Sequence, residues 1–192
     1  MTIRIALAVS ALAASIALIP APLHAQTAPV APAAAADPTV MNNPAPEALQ
    51  VYGLPGGAQP KHIKDPKVQF GKAIRVETPG GGNPWTVGVN SPLTAKVKKG
   101  DKVLVAFYAR VEKAPDGAAT AKINGQLQLS QAPYTQLFGK GFEVTSEWKL
   151  YQIVGRADRD YAAGELSVAL HVNTAKQTLD IGAVAVLDYG QK

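Results

Sequence analysis

A chain of 192 residues with net charge +5 and no cysteine has no disulfide staples, no N-terminal cysteine for lipid attachment, and no thiolate for zinc or catalysis. Its 19 basic and 14 acidic residues are interspersed, as in Lys61, Lys64, Asp65 and Lys67 or Asp158, Arg159 and Asp160, and only Lys96, Lys98 and Lys99 cluster. Nucleic acid binding needs a denser basic stripe with interleaved aromatics, so that class is set aside.

The first 25 residues read as a secretory signal peptide: Arg4, an apolar run over 5–19, Pro20, and small residues leading to Leu23-His24-Ala25, with cleavage after Ala25. The run is too short for a bilayer core of about 30 Å, so no membrane anchor is expected after cleavage. Losing Arg4 and no acid takes the charge from +5 to +4. The expected destination is the periplasm or release beyond it. Residues 26–48 are rich in Ala and Pro with hardly any large apolar side chain, which predicts a disordered linker. Order is then expected over 49–192, a length sufficient to bury a core without crosslinks.

From there the chain is punctuated by turn chemistry at short intervals: Pro55-Gly56-Gly57, Pro79-Gly80-Gly81-Gly82, Lys99-Gly100-Asp101, Pro115-Asp116-Gly117 and Asp158-Arg159-Asp160. Between the turns lie alternating or β-branched runs, and no segment sustains a helical period. The predicted strands are 73–77, 85–89, 94–97, 102–111, 119–129, 137–144, 148–157, 165–173 and 178–187. Nine short strands in one domain argue for an all-β, two-sheet antiparallel β-sandwich or jelly roll. Alternation sorts the faces. Val103, Val105, Phe107, Ala109 and Val111 share the core face, with Leu104, Ala106, Tyr108 and Arg110 on the other. Ile123, Gly125, Leu127 and Leu129 point in and Asn124, Gln126, Gln128 and Ser130 out. Leu166, Val168, Leu170 and Val172 point in, leaving Ser167, Ala169, His171 and Asn173 to face water.

Four stretches follow in order: Gly71-Lys72-Ala73-Ile74-Arg75-Val76; Gly100-Asp101-Lys102 leading into Val105-Ala106-Phe107-Tyr108-Ala109-Arg110; Val144-Thr145-Ser146-Glu147-Trp148-Lys149-Leu150-Tyr151; and Val184-Ala185-Val186-Leu187. Together they resemble the opening, hallmark, later and closing strands of the carbohydrate-binding modules of families 4, 9 and 22, a galactose-binding-like jelly roll. The resemblance covers most of 49–189 and implies a non-catalytic protein that holds a polysaccharide or oligosaccharide, such as a β-glucan or xylan, on a concave sheet face. It also raises the option of a structural calcium near the chain ends, which needs six to eight oxygens. Asp180 is the candidate ligand, because the family's acidic pair in the closing strand is here Ile181-Gly182-Ala183. The family's usual opening is replaced by Val51-Tyr52-Gly53-Leu54-Pro55-Gly56-Gly57.

Glycan recognition needs aromatic faces and hydrogen-bonding side chains. Tyr108, Arg110, Gln126, Gln128 and His171 are expected to converge on one sheet, with Asn83, Trp85, Asn90, Tyr134 and Gln136 on loops or strand ends nearby. Tyr108 beside Arg110 reads as a stack-and-clamp pair or as an ordinary polar outer face. Trp85 reads as a ligand contact or a plug over the sandwich end, Trp148 as core, and His62 and His171 as solvated. No hydrolase motif is present, and acids such as Glu112, Asp116, Glu143, Glu147 and Glu165 fall mostly in turns and strand ends, unlike the paired carboxylates of a glycosidase. The alternative to glycan binding is a non-catalytic domain that docks another exported protein, such as a polysaccharide-degrading enzyme; a flat apolar patch would favour it.

Overall fold

The computed structural model describes residues 37–191. The leader over 1–25 and residues 26–36 of the expected linker lie outside the described residues. Eleven strands follow in chain order: β1 (Thr39–Val40), β2 (Gln50–Tyr52), β3 (Lys61–Lys64), β4 (Lys72–Pro79), β5 (Gly88–Pro92), β6 (Lys102–Lys113), β7 (Ala121–Leu129), β8 (Gln136–Val144), β9 (Lys149–Arg156), β10 (Leu166–His171) and β11 (Lys176–Asp188). They form two antiparallel sheets. The first has the order β3-β4-β11-β6-β9, with β1 also paired to β11, and the second has the order β2-β5-β10-β7-β8. This is the expected sandwich.

The alternation in the sequence sets the packing. Val103, Val105, Phe107, Ala109 and Val111 of β6 are buried against Ile123 and Leu127 of β7 and Leu166, Val168 and Leu170 of β10 in one core. At one side of it Phe107 stacks on Tyr151 at 5.5 Å and meets Phe142 edge-on at 5.3 Å. These rings tie β6 and β9 of the first sheet to β8 of the second, and such pairs add about 0.5–1.5 kcal/mol each beyond burial.

Order begins before Leu49. Within the Ala- and Pro-rich stretch, β1 pairs with Leu187 and Asp188, Met41 and Pro46 are buried, and Asn42 joins the two sheets. The Asn42 amide donates to Ser91 Oγ on β5 at 2.6 Å and to the Val184 carbonyl on β11 at 2.7 Å, while its Oδ1 accepts the Val186 N–H at 2.9 Å. Averaging composition over 26–48 hid three residues that the body needs: Met41, Asn42 and Pro46. Two further expectations change: residues 85–89 open with a 3-10 turn, Pro84–Thr86, before β5, and residues 94–97 contribute only an isolated bridge, Val97 to Tyr161.

On the outer face of the first sheet, Asp180 is fully buried beneath two guanidinium groups. Arg75 Nε donates to Asp180 Oδ1 at 2.7 Å and Arg75 Nη2 to Oδ2 at 3.0 Å, and Arg110 Nε donates to Oδ2 at 2.9 Å. Glu112 lies 2.9 Å from Arg75 Nη2. Asp65 lies 3.2 Å from Arg110 Nη1 and accepts the Trp148 indole N–H at 2.9 Å. That indole, the Lys67 N–H and the Arg110 charge hold the Asp65 carboxyl below its usual range. Trp148 is therefore not a core residue; it is half-buried on the outer face, under Arg110 at 5.0 Å.

This network overturns Asp180 as a calcium ligand, because both its oxygens are taken by cationic donors that would repel Ca²⁺. Among the described residues no group of three or more His, Cys, Asp or Glu side chains could hold a metal ion. The Ile181-Gly182-Ala183 sequence now has a physical reason. It lies at a register shift of β11, and a Cβ on Gly182 would stand 2.6 Å from Val68 Cγ2 and 3.0 Å from Tyr108 Cβ, so no acidic side chain fits there.

Removing one partner of a buried ion network strands the others, and removing a buried amide strands three groups. Asp180→Ala and Asn42→Ala are each expected to lower the unfolding free energy by about 3 kcal/mol in urea titrations. A loss below about 1 kcal/mol in either would contradict the role given to that side chain.

Candidate functional site

The outer face of the second sheet is a groove of about 930 Å³. Register lines up its floor in rows that cross the five strands. One row is Tyr52, Gly88, His171, Asn124 and Gly141; the next is Gln50, Asn90, Ala169, Gln126 and Gly139; a third runs from Pro92 through Ser167 and Gln128 to Gln136. Four interstrand spacings make the groove about 19 Å long.

Small residues in the middle create the depression. Ser167 and Ala169 on β10 are buried although they point outward. Their neighbours across the sheet, Pro92 and Gln128 for one and Asn90 and Gln126 for the other, have longer side chains. Gly88 is needed for close approach, since a Cβ there would overlap the Tyr52 ring. That ring lies across the floor as a flat aromatic surface. Asn173, also expected to face water, is buried: it accepts the Gly80 N–H at 2.9 Å and donates to Thr86 Oγ1 at 2.7 Å, fixing the loop that carries Trp85.

Two exposed aromatics stand at opposite ends of the strands. Trp85, 56% exposed, is presented by the Pro84–Thr86 turn just before β5. Tyr134, also 56% exposed, lies in the loop between β7 and β8. Its φ of 56° is in the left-handed region, a conformation that a non-glycine residue adopts at a cost of about 1–2 kcal/mol. The loop is held by hydrogen bonds from Tyr134 N–H to Gln131 O at 2.8 Å and from Leu129 N–H to Thr135 O at 3.0 Å.

The lining is amide-rich, and Lys140 is its one charged side chain. Gln126 Nε2 donates to Gln128 Oε1 at 2.5 Å, which orients both amides, and Asn90 Oδ1 is a buried acceptor without a hydrogen-bond partner. Burial and the nearby Tyr134 push the Tyr52 phenol up, so it stays a hydrogen-bond donor. Burial pushes the His171 imidazole down, so it is neutral near pH 7, and it is half-buried rather than solvated. No Asp or Glu lines the groove. Lys140 borders it, but its register partner Gly125 faces the core side, and its Nζ lies 4.9 Å over the Phe142 ring.

The structure brings together Trp85, Asn90, Gln126, Gln128, Tyr134, Gln136 and His171. Tyr108 and Arg110 are not among them: both are on β6, in the other sheet, and Arg110 is committed to three carboxylates. The expected convergence on one sheet failed because alternation says which residues share a strand face, not which sheet the strand joins. Asn83 is outside the lining and instead caps the turn under Trp85, its carbonyl accepting the Thr86 N–H at 3.0 Å and hydroxyl at 2.8 Å. Gln50 and Tyr52 were missed. Their signal was the Gln50-Val51-Tyr52 alternation at the point where the family's opening is replaced.

A model of the carbohydrate binding domain family of the 4/9 type matches residues 63–176, more than half of the chain. No curated protein sequence matches. Among solved structures, the chain is similar to a protein described as "CBM4 structure and function" at 18% identity and a TM-score of 0.57, covering 74% of this chain and 96% of that one. It is also similar to the CBM22-1 xylan-binding domain of Paenibacillus barcinonensis Xyn10C, at 14% identity and a TM-score of 0.52, covering 79% and 93%. A third is the N-terminal cellulose-binding domain of Cellulomonas fimi beta-1,4-glucanase C, at 20% identity and a TM-score of 0.51, covering 73% and 88%. At these identities the likeness carries the fold, and the match over 63–176 carries the assignment: the chain belongs to the CBM 4/9 family of carbohydrate binding domains.

Proposed function

We propose that the protein is an exported, non-catalytic binder that lays a neutral polysaccharide across the five-stranded sheet. The observation that carries this reading is the groove itself, crossing every strand, floored by amides and Tyr52, and bounded by Trp85 and Tyr134. Sugars offer flat C–H faces and paired hydroxyls, and the groove supplies aromatic rings for the first and amide donors and acceptors for the second. A lining without Asp or Glu has no pair of carboxylates for glycoside hydrolysis. The xylan- and cellulose-binding neighbours make β-linked glucans and xylans the first ligands to test. Export rests on the leader pattern of residues 1–25.

A few stacks of about 0.5–1.5 kcal/mol and hydrogen bonds near 1 kcal/mol must offset at least about 4 kcal/mol of association cost, which places affinity in the millimolar-to-micromolar range. Native gels containing soluble xylan, β-glucan or mannan are expected to retard the protein. Trp85→Ala and Tyr134→Ala should each weaken retardation about fivefold, while Tyr108→Ala, on the other sheet, leaves it unchanged. Loss of retardation with Tyr108→Ala alone, or retardation by none of the polymers, would overturn the assignment.

His171 gives the folded state a pH dependence. Its depressed pKa means that the unfolded chain takes up a proton that the folded groove resists. The stabilisation is present above the ordinary value of about 6.5 and is lost as pH falls through the folded value. Thermal unfolding from pH 7.5 down to 5.5 is expected to show a drop in the wild type that is smaller in His171→Gln. Parallel curves for the two proteins would contradict the burial of a neutral imidazole.

A further inference from the structure

The two rims of the groove differ. Register turns Gln50 and Tyr52 outward on the edge strand β2, so that rim carries side chains. On the other edge strand, the positions of β8 that pair with the outward Asn124 and Gln126 of β7 are Gly141 and Gly139. Both line the groove. Outward positions on one strand are about 7 Å apart, so two bare ones in succession leave a notch in this rim. Gln136 stands on one side of it and Glu143, the register partner of Lys122, on the other. Lys140 lies between the two glycines and does not fill the notch, because its Nζ is placed over the Phe142 ring.

The two glycines are there for different reasons. A Cβ on Gly139 would stand 2.6 Å from Gln126 Cβ and 2.7 Å from the Gly125 carbonyl oxygen, so the packing of β7 against β8 demands glycine there. Gly141 answers to no such demand. A Cβ on it would meet only Asn124 Oδ1 at 3.4 Å and the Ile123 carbonyl oxygen at 4.0 Å, which is ordinary contact, and its φ lies outside the left-handed region. Glycine in a strand interior weakens the strand, and where packing and backbone do not call for it, it marks a place where a ligand can come close to the peptide. Gly141 is exposed, and it ends the row Tyr52, Gly88, His171, Asn124 and Gly141 that crosses the floor.

Building on the groove as the glycan site, we propose that Gly141 is a specificity-determining residue: the bound chain runs off the sheet across its bare peptide, through the notch in β8. Along the row that ends there, the Tyr52 ring offers a flat face, and His171 and Asn124 offer hydrogen-bonding groups to the edges of successive sugars. A side chain at 141 would stand where the next sugar lies. The notch therefore sets the length of chain that the site reads, and sugars beyond those at the middle of the sheet add to the affinity.

Calorimetric titration of the purified chain with xylo- and cello-oligosaccharides, from trisaccharide to hexasaccharide, is expected to show affinity rising about tenfold along the better-bound series. In Gly141→Val the trisaccharide should bind within about twofold of the wild type while the hexasaccharide loses about fivefold, and the thermal unfolding midpoint should be equal or higher. Gly141→Ala, whose methyl makes only ordinary contacts, should unfold like the wild type and lose less hexasaccharide affinity than Gly141→Val. No rise with length in the wild type, the same rise in Gly141→Val, an equal loss for short and long oligosaccharides, or a lower midpoint in both variants would overturn the proposal and leave groove binding standing. A wild type that binds none of these oligosaccharides and none of the parent polymers would overturn the groove reading and this proposal with it.

Discussion

The packing of the two sheets against one another is the constraint from which everything else follows. Once Phe107, Val105 and Val103 of β6 are committed to a core shared with β7 and β10, every strand has only one other face to offer. The molecule therefore has two outer surfaces that no strand residue can share. One sheet's surface became a polar groove. The other became an ion network. The Asn42 amide, bonded to Ser91 in one sheet and to Val184 and Val186 in the other, adds a directional link to a core that is otherwise held by non-directional burial.

Much of this was legible in the residues. The alternation of β6, β7 and β10 gave the buried and outward sets, and Gln126, Gln128 and His171 are on the groove side as their parity requires. What parity cannot supply is strand order. Tyr108 and Arg110 looked like partners of Gln126 until the pairing of β6 with β9 and β11, rather than with β7, put them on the opposite face. Burial of outward residues is likewise non-local. Ala169 and Ser167 are buried in a sheet where β5 and β7 bring longer side chains alongside. The role of residues 39–46 was invisible for a simpler reason: a few anchoring side chains, Met41, Asn42 and Pro46, sit among alanines and prolines whose average describes a chain with nothing to bury.

The two faces use electrostatics in opposite ways. On the first sheet, Asp180 is taken out of water and compensated by two guanidinium groups, which fixes Arg75, Arg110, Glu112 and Asp65 around it and leaves no vacancy for a cation. On the second, the lining holds no carboxylate and Lys140 is its one charged side chain: Tyr52 stays protonated, His171 stays neutral, and the amides carry the polarity. A surface made mostly of dipoles is matched to uncharged hydroxyls, and the aromatic rings at its floor and lips are matched to the apolar faces of sugar rings.

The most direct test of the central claim is backbone amide shift mapping during titration with a soluble β-glucan or xylan oligosaccharide. The account expects saturable shifts confined to one sheet, centred on Gln50, Tyr52, Asn90, Gln126 and His171 and extending to Trp85 and Tyr134. Shifts centred on Tyr108, Arg110 and Trp148 instead, or none with any such oligosaccharide, would contradict it.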